Sequence, residues 1–196
     1  MAQEMGIGDA HLGDSQEVCF VPEDDYGRFV STRAGTVVEP GPILNARGER
    51  LGTHRGLVYY TVGQRKGLGI AAKRPLYVLR LVPEQNTLIV GFEDETLCRG
   101  LDAIEANWLV TPTKTEFTCE VQVRYRQRPV PCHVTVRPDG FTVIFDAPVR
   151  SVAPGQWAAL FDGELVLGGG IIHRALPLTD SAGSVREQEQ RPEDQP

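Results

Sequence analysis

The stretch "FTCEVQVRYRQ", residues 117–127, decides the fold. Val121, Val123 and Tyr125 fall on one face of an extended chain, and Gln122, Arg124 and Arg126 on the other. A repeat of two marks a strand that turns one face to a core. Outward from it, "PCHVTVRP" (131–138) and "GFTVIFDAP" (140–148) continue the alternation, and "LDAIEANWLV" (101–110) precedes it. "QWAALFDGELVLGG" (156–169) reads as a hairpin with Asp162–Gly163 at its turn. Short strands punctuated at regular intervals predict a small six-stranded antiparallel barrel with inward valines as its core.

Further upstream, "LYVLRLVPEQNTLIVGF" (76–92) reads as a second hairpin around "PEQN", and "LVYYTV" (57–62) as a strand. "EPGPILNARGERLGTHRG" (39–56), rich in Gly and Pro, reads as loop and turn. "PEDDYGRFV" (22–30) carries the proline, first-turn acids and apolar spacing of one short helix. The final "TDSAGSVREQEQRPEDQP" (179–196) is expected to be disordered. The fold class is therefore mainly β, a small mixed central domain followed by the barrel. The expected divisions are residues 1–22, a central domain at 23–92, the barrel at 93–178 and a tail at 179–196.

With 196 residues and 41% hydrophobic content, the chain can bury a real core. No apolar run approaches the roughly 20 residues of a membrane span, and the first residues lack a secretory signal. A cytoplasmic protein without a membrane partner is expected. Cys19, Cys98, Cys119 and Cys132 form no C-x-x-C pair, and the four histidines no H-x-x-x-H, so no metal site is expected. Cys119 and Cys132 read as buried small hydrophobes on neighbouring strands.

The net charge of −6 hides a division. Residues 1–46 carry eight acids and two bases, whereas residues 47–74 carry seven bases against Glu49. Arg124, Arg126 and Arg128 form a further basic cluster. The overall balance argues against a nonspecific nucleic-acid binder, but local patches of this kind can grip phosphates. "GQRKGLG" (63–69) sets Arg65 and Lys66 among three glycines. It has neither the P-loop ending nor the dinucleotide-binding spacing, leaving a surface turn and an anion or RNA contact both open. "VRYRQRP" (123–129) is either a polar hairpin face or a strand end that holds a phosphate while Tyr125 supports the loop or stacks on a base. Cys19 lies among Asp14, Glu17, Glu23, Asp24 and Asp25, surroundings that raise a thiol's pKa and make it a poor nucleophile unless positive charge arrives from elsewhere.

In order along the chain, "DSQEVCF", "PGPI", "GLVYYTVGQRKGLGI", "LYVLRLVPEQNTLIVG", "ANWL", "VRYRQRPVPC" and "APGQWAALFDGELVLGGGII" resemble the C-terminal portion of the bacterial tRNA-specific 2-thiouridylase family. The resemblance runs from residue 14 to about 173. It implies a translation-factor-type barrel that binds tRNA, and a sulfurtransferase acting on carbon 2 of the wobble uridine. By that resemblance Cys19 carries a persulfide received from a sulfur-relay protein or cysteine desulfurase. ATP adenylylates the uridine O2, and the persulfide sulfur then attacks C2. The family's tRNA contacts map to Arg124, Tyr125 and Gln156, and Arg65 and Lys66 become candidates for tRNA phosphates or the sulfur donor.

The family's N-terminal domain, with its S-G-G-x-D-S pyrophosphatase loop, ATP site and second catalytic cysteine, has no counterpart in these residues. The resemblance thus implies an excised fragment or a truncated relative, needing that adenylylating domain as a partner. The alternatives are a stand-alone RNA-binding module and a persulfide relay subunit without activation chemistry of its own.

Overall fold

The structure, a computed structural model, describes residues 38–125 and 127–178. The expected helix at 22–30, Cys19, Arg126 and the tail at 179–196 lie outside the described residues. What is described is mainly β, in two sheets.

The first is a four-stranded mixed sheet of β1 (Gly41–Asn45), β2 (Arg50–His54), β3 (Tyr77–Val82) and β4 (Thr87–Gly91), in the order β2-β1-β4-β3. The β3–β4 hairpin forms as its sequence predicts, turning through a 3-10 segment at Pro83–Gln85 that ends on Asn86 in the left-handed region, with φ of 45°. β1 and β4 run parallel, and the other pairs are antiparallel. Ile43, Val78, Leu88 and Val90 are fully buried beneath Tyr60, Leu68 and Leu76.

Two expectations for this region are corrected. The segment read as loop at 39–56 contains the β1–β2 hairpin. Its strands escaped notice because β2 is an edge strand, exposed along most of its length, so its sequence needs no apolar alternation. Pro42 is tolerated in β1 because it faces only Thr53 of β2, while pairing to β4 starts at Ile43. Conversely, "LVYYTV" is not a strand: Leu57–Tyr59 is a 3-10 turn closed by the bond from the Tyr60 N–H to the Leu57 carbonyl. A short apolar run without alternation does not separate a strand from a buried turn.

The second sheet is a closed six-stranded antiparallel barrel, as the alternation predicts. It comprises β5 (Leu97–Trp108), β6 (Glu116–Gln122), β7 (Val130–Arg137), β8 (Gly140–Arg150), β9 (Trp157–Asp162) and β10 (Leu165–Pro177), in the order β10-β5-β8-β7-β6-β9. Closure comes from β6 pairing with β9, which leaves no free edge. Val121, Val123, Val134, Val143, Leu101, Leu160, Phe141 and Ile172 fill the interior. Burial of each such side chain contributes about 1.5–3 kcal/mol. The β9–β10 turn is shifted by one residue from expectation: Asp162 still pairs with Leu165, so Gly163 and Glu164 form the two-residue loop.

Outside the barrel core, Asp102 is almost completely buried and accepts hydrogen bonds from Thr142 (2.8 Å) and Arg174 (2.6 and 3.1 Å), with Arg137 at 3.4 Å. This cluster ties β5, β7, β8 and β10 together. Burial by itself would raise the Asp102 carboxyl, but the bonds from Arg174 and Thr142 and the two guanidinium charges outweigh it and hold it below the usual carboxylate range.

Candidate nucleic-acid interface

β6 ends at Gln122, so Arg124 and Tyr125 do not alternate along a strand as expected; they sit in an arc between β6 and β7. Gln122 builds this arc. Its side-chain amide donates to the carbonyls of Tyr125 (3.1 Å) and Gln127 (2.7 Å), and the Gln127 N–H donates to the Arg124 carbonyl (3.1 Å). Val123 stays buried and anchors the arc to the core, while Tyr125 is 78% exposed. Its ring therefore lies outside the apolar face assigned to it from the alternation.

Arg124 reaches back over the barrel end. Its Nη2 donates to the Ser151 carbonyl at 2.5 Å. Ser151 is itself buried, has φ of 53°, and donates its N–H to Thr96 at 2.7 Å. Cys98 lies beneath this corner: burial pushes its thiol up, partly offset by a backbone hydrogen bond at Val152 and the Arg124 charge. An open groove beside Arg124 is lined by Gln127 and Val130 on one wall and by Asp146, Pro148 and Arg150 on the other. Arg150 is paired with Glu93, and Asp146 lies 3.5 Å from His133.

The glycine-containing loop meets the same corner. Gly63 has φ of 86°, and a Cβ there would lie 2.6 Å from the Ser151 Cβ and 2.7 Å from the Arg124 Nη2. Only a residue without a side chain fits between them. The loop is pinned by bonds from Gly63 N–H to Val78 (2.8 Å) and Val78 N–H to Gln64 (2.9 Å), and by Leu68 in the core. Arg65 and Lys66 are exposed, and among the described residues neither has an ion-pair partner. The backbone amides offer less than the sequence suggested: the Gly63 and Gln64 N–H groups are already committed to Val78 and Thr61. Those two N–H groups are therefore not offered to a phosphate.

Gln156 is exposed on the turn that leads from Ser151 into β9, its backbone fixed by bonds to Ala153 and Ile172. The β6–β9 register closes at Gln122 opposite Ala159, so the arc leaves β6 at the barrel end where residues 156 and 157 enter β9. The structure thus brings Arg124, Tyr125, Gln156 and the loop of Arg65 and Lys66 to one end of the barrel.

Sequence reasoning passed over Trp157, which is 48% exposed at this end. A Cβ on Gly169 would collide with its Nε1, so the indole rests on β10 where a side chain would otherwise stand. The glycine run 168–170 is the sequence signal for this bare stretch of β10. Gln122, whose side-chain amide bonds two backbone carbonyls, and Ser151, which accepts Arg124 at its own carbonyl, left no signal at all.

Two family models match: the tRNA methyl transferase PRC-barrel domain over residues 28–92 and the aminomethyltransferase beta-barrel domain over residues 98–172. Curated relatives include tRNA-specific 2-thiouridylases of Symbiobacterium thermophilum, 45% identical over 179 residues, and of Pelobacter propionicus, 42% identical over 177. The chain belongs to the tRNA-specific 2-thiouridylase family. Each of those alignments covers 90% of the chain, but 46% and 50% of the respective relatives. A third member, from Trichlorobacter lovleyi, is 43% identical over 89% of the chain and 49% of its own length. The chain therefore spans about half the length of the family members it matches. Among the described residues no helix is long and apolar enough to cross a membrane, and no group of three or more His, Cys, Asp or Glu could hold a metal ion.

Proposed function

We propose that this chain is the tRNA-holding part of a tRNA 2-thiouridine synthase acting in the cytoplasm. Sulfur passes from a persulfide on Cys19 to C2 of the wobble uridine after ATP-dependent adenylylation by the family's N-terminal domain. Residues 23–92 act as the central domain and residues 93–178 as the tRNA-binding barrel. The persulfide is loaded by a cysteine desulfurase or relay protein.

The single observation that carries this reading is the convergence of Arg124, Tyr125, Gln156 and the Arg65–Lys66 loop on one barrel end, in a chain of this family. Guanidinium and ammonium groups take phosphates, and exposed aromatics stack on unpaired bases. An anticodon arm gripped at this end presents its wobble base at fixed geometry to the reacting sulfur, which lowers the entropic cost of the transfer.

The test is fluorescence anisotropy of the chain with an anticodon stem-loop RNA over a salt series. Arg124→Ala is expected to weaken binding about tenfold, about 1.4 kcal/mol, and to reduce the salt slope by about 0.7–0.9. An unchanged slope and affinity would remove Arg124 from the interface. For the sulfur step, Cys19→Ser in the polypeptide that includes the N-terminal domain is expected to abolish 2-thiouridine formation. Undiminished thiolation would leave only an RNA-binding role.

A further inference from the structure

A second sulfur feature lies in the barrel wall. Cys119 of β6 and Cys132 of β7 are direct register partners, and their Sγ atoms are 3.8 Å apart. Both share the inward face of Val121 and Val134, with Cys132 buried and Cys119 half-buried against the core. Opposed residues on antiparallel strands have Cα atoms about 4.5–5.5 Å apart, inside the range of about 4.4–6.8 Å that a disulfide spans. A bond of about 2.05 Å requires the two sulfurs to close by less than about 2 Å from their 3.8 Å separation. The segment between them, residues 120–131, contains the whole arc of Arg124 and Tyr125.

We propose that Cys119 and Cys132 form an oxidisable dithiol site, which low-molecular-weight disulfides such as glutathione disulfide convert to a disulfide that closes the base of the arc. The Cys119 thiolate attacks one sulfur of glutathione disulfide and expels one glutathione thiolate, leaving a mixed disulfide. Cys132 gives its proton to solvent and attacks the Cys119 sulfur, expelling the second glutathione. Two thiols lose two protons and two electrons, and glutathione disulfide takes them up as two glutathiones.

The order follows from access and acidity. Cys119 is the more exposed sulfur, and the hydrogen bond from Cys132 lowers its pKa. Hydrogen bonding to Cys119 and burial push the Cys132 thiol up, so it acts second, at close range. The proposal rests on neither the chemistry of Cys19 nor the RNA-binding reading.

The folded chain is incubated with glutathione disulfide, remaining thiols are alkylated, and tryptic peptides are mapped. Trypsin cuts after Arg124 and Arg126, so a Cys119–Cys132 bond joins peptide 115–124 to peptide 127–150. The expected result is that linked pair, a higher Tm than the reduced chain, and reversal of both by dithiothreitol. Cys132→Ser is expected to stop at one glutathione on Cys119, and Cys119→Ser to leave Cys132 unmodified. A stable mixed disulfide on the wild-type chain, a bond to Cys98 instead, or linkage only in denaturant would overturn the proposal. The wild-type peptide map decides even where a variant fails to fold.

Discussion

Arg124 donates to the Ser151 carbonyl at 2.5 Å, and Gly63 of the other sheet's loop packs against both residues. This corner sets the height of the arginine above the barrel end and couples it to the loop of Arg65 and Lys66.

Gly63→Ala tests the coupling. Its positive φ costs about 1–2 kcal/mol for any L side chain, and the new methyl would push Arg124 off Ser151. Gly67→Ala is the control, since its φ of 78° carries a similar backbone cost but its Cβ would meet only Gln64 Nε2 at 3.7 Å. Both variants are expected to lower the Tm, and only Gly63→Ala to weaken anticodon stem-loop binding beyond that. Equal binding losses would show that the corner does not position Arg124.

Trp157→Ala should separate affinity from stability. The indole is half exposed, so its removal costs the fold little, whereas a lost stack on a base costs about 1–3 kcal/mol. Titration with single-stranded RNA is expected to quench wild-type fluorescence, with the residual Trp108 signal of the variant unresponsive. Quenching that survives in Trp157→Ala would place the contact elsewhere.

Asp102 gives the barrel a defined acid limb. Its folded pKa lies below its unfolded value of about 3.9, so the stabilisation is complete above that pH and is lost as pH falls through the folded pKa. Asp102→Asn is expected to lower stability by about 2 kcal/mol at pH 7, with the gap to wild type shrinking below about pH 4. Urea midpoints at pH 7 and pH 3 measure it, and a constant gap would contradict the assignment.

His54→Ala probes the small sheet. The buried ring accepts the Gly56 N–H at Nδ1 (3.1 Å), so Nε2 carries the proton and donates to the Asn86 carbonyl (2.8 Å). Removing it leaves two polar groups without their partner and opens the edge contact with Tyr60, at a cost of about 2–4 kcal/mol. Thermal unfolding is expected to show the β1–β4 sheet melting first, with barrel amides still protected from hydrogen exchange. A joint, unshifted transition would argue against this role.

The barrel was legible because alternation is a local property: each strand from β5 to β10 has to present every second side chain to one core. The β1–β2 hairpin was not, since an edge strand obeys no such pattern, and the 3-10 turn at Leu57–Tyr59 hides in an apolar run that fits either form. Among the candidate site residues, Arg124, Tyr125, Gln156, Arg65 and Lys66 were named from charge and family motif. Their side-chain directions were not readable, because β6 stops at Gln122 and its amide then bends the chain into an arc.

The order of residues by itself determined the barrel's six strands, their antiparallel closure and the kinship of the chain, because periodicity and motif order need no third dimension. Only the tertiary structure decided that Gly63 meets Arg124, that Trp157 lies across Gly169, and that Cys119 faces Cys132. Each is a contact between segments far apart along the chain or on opposed strands, fixed by register and packing, and neither can be counted from local sequence.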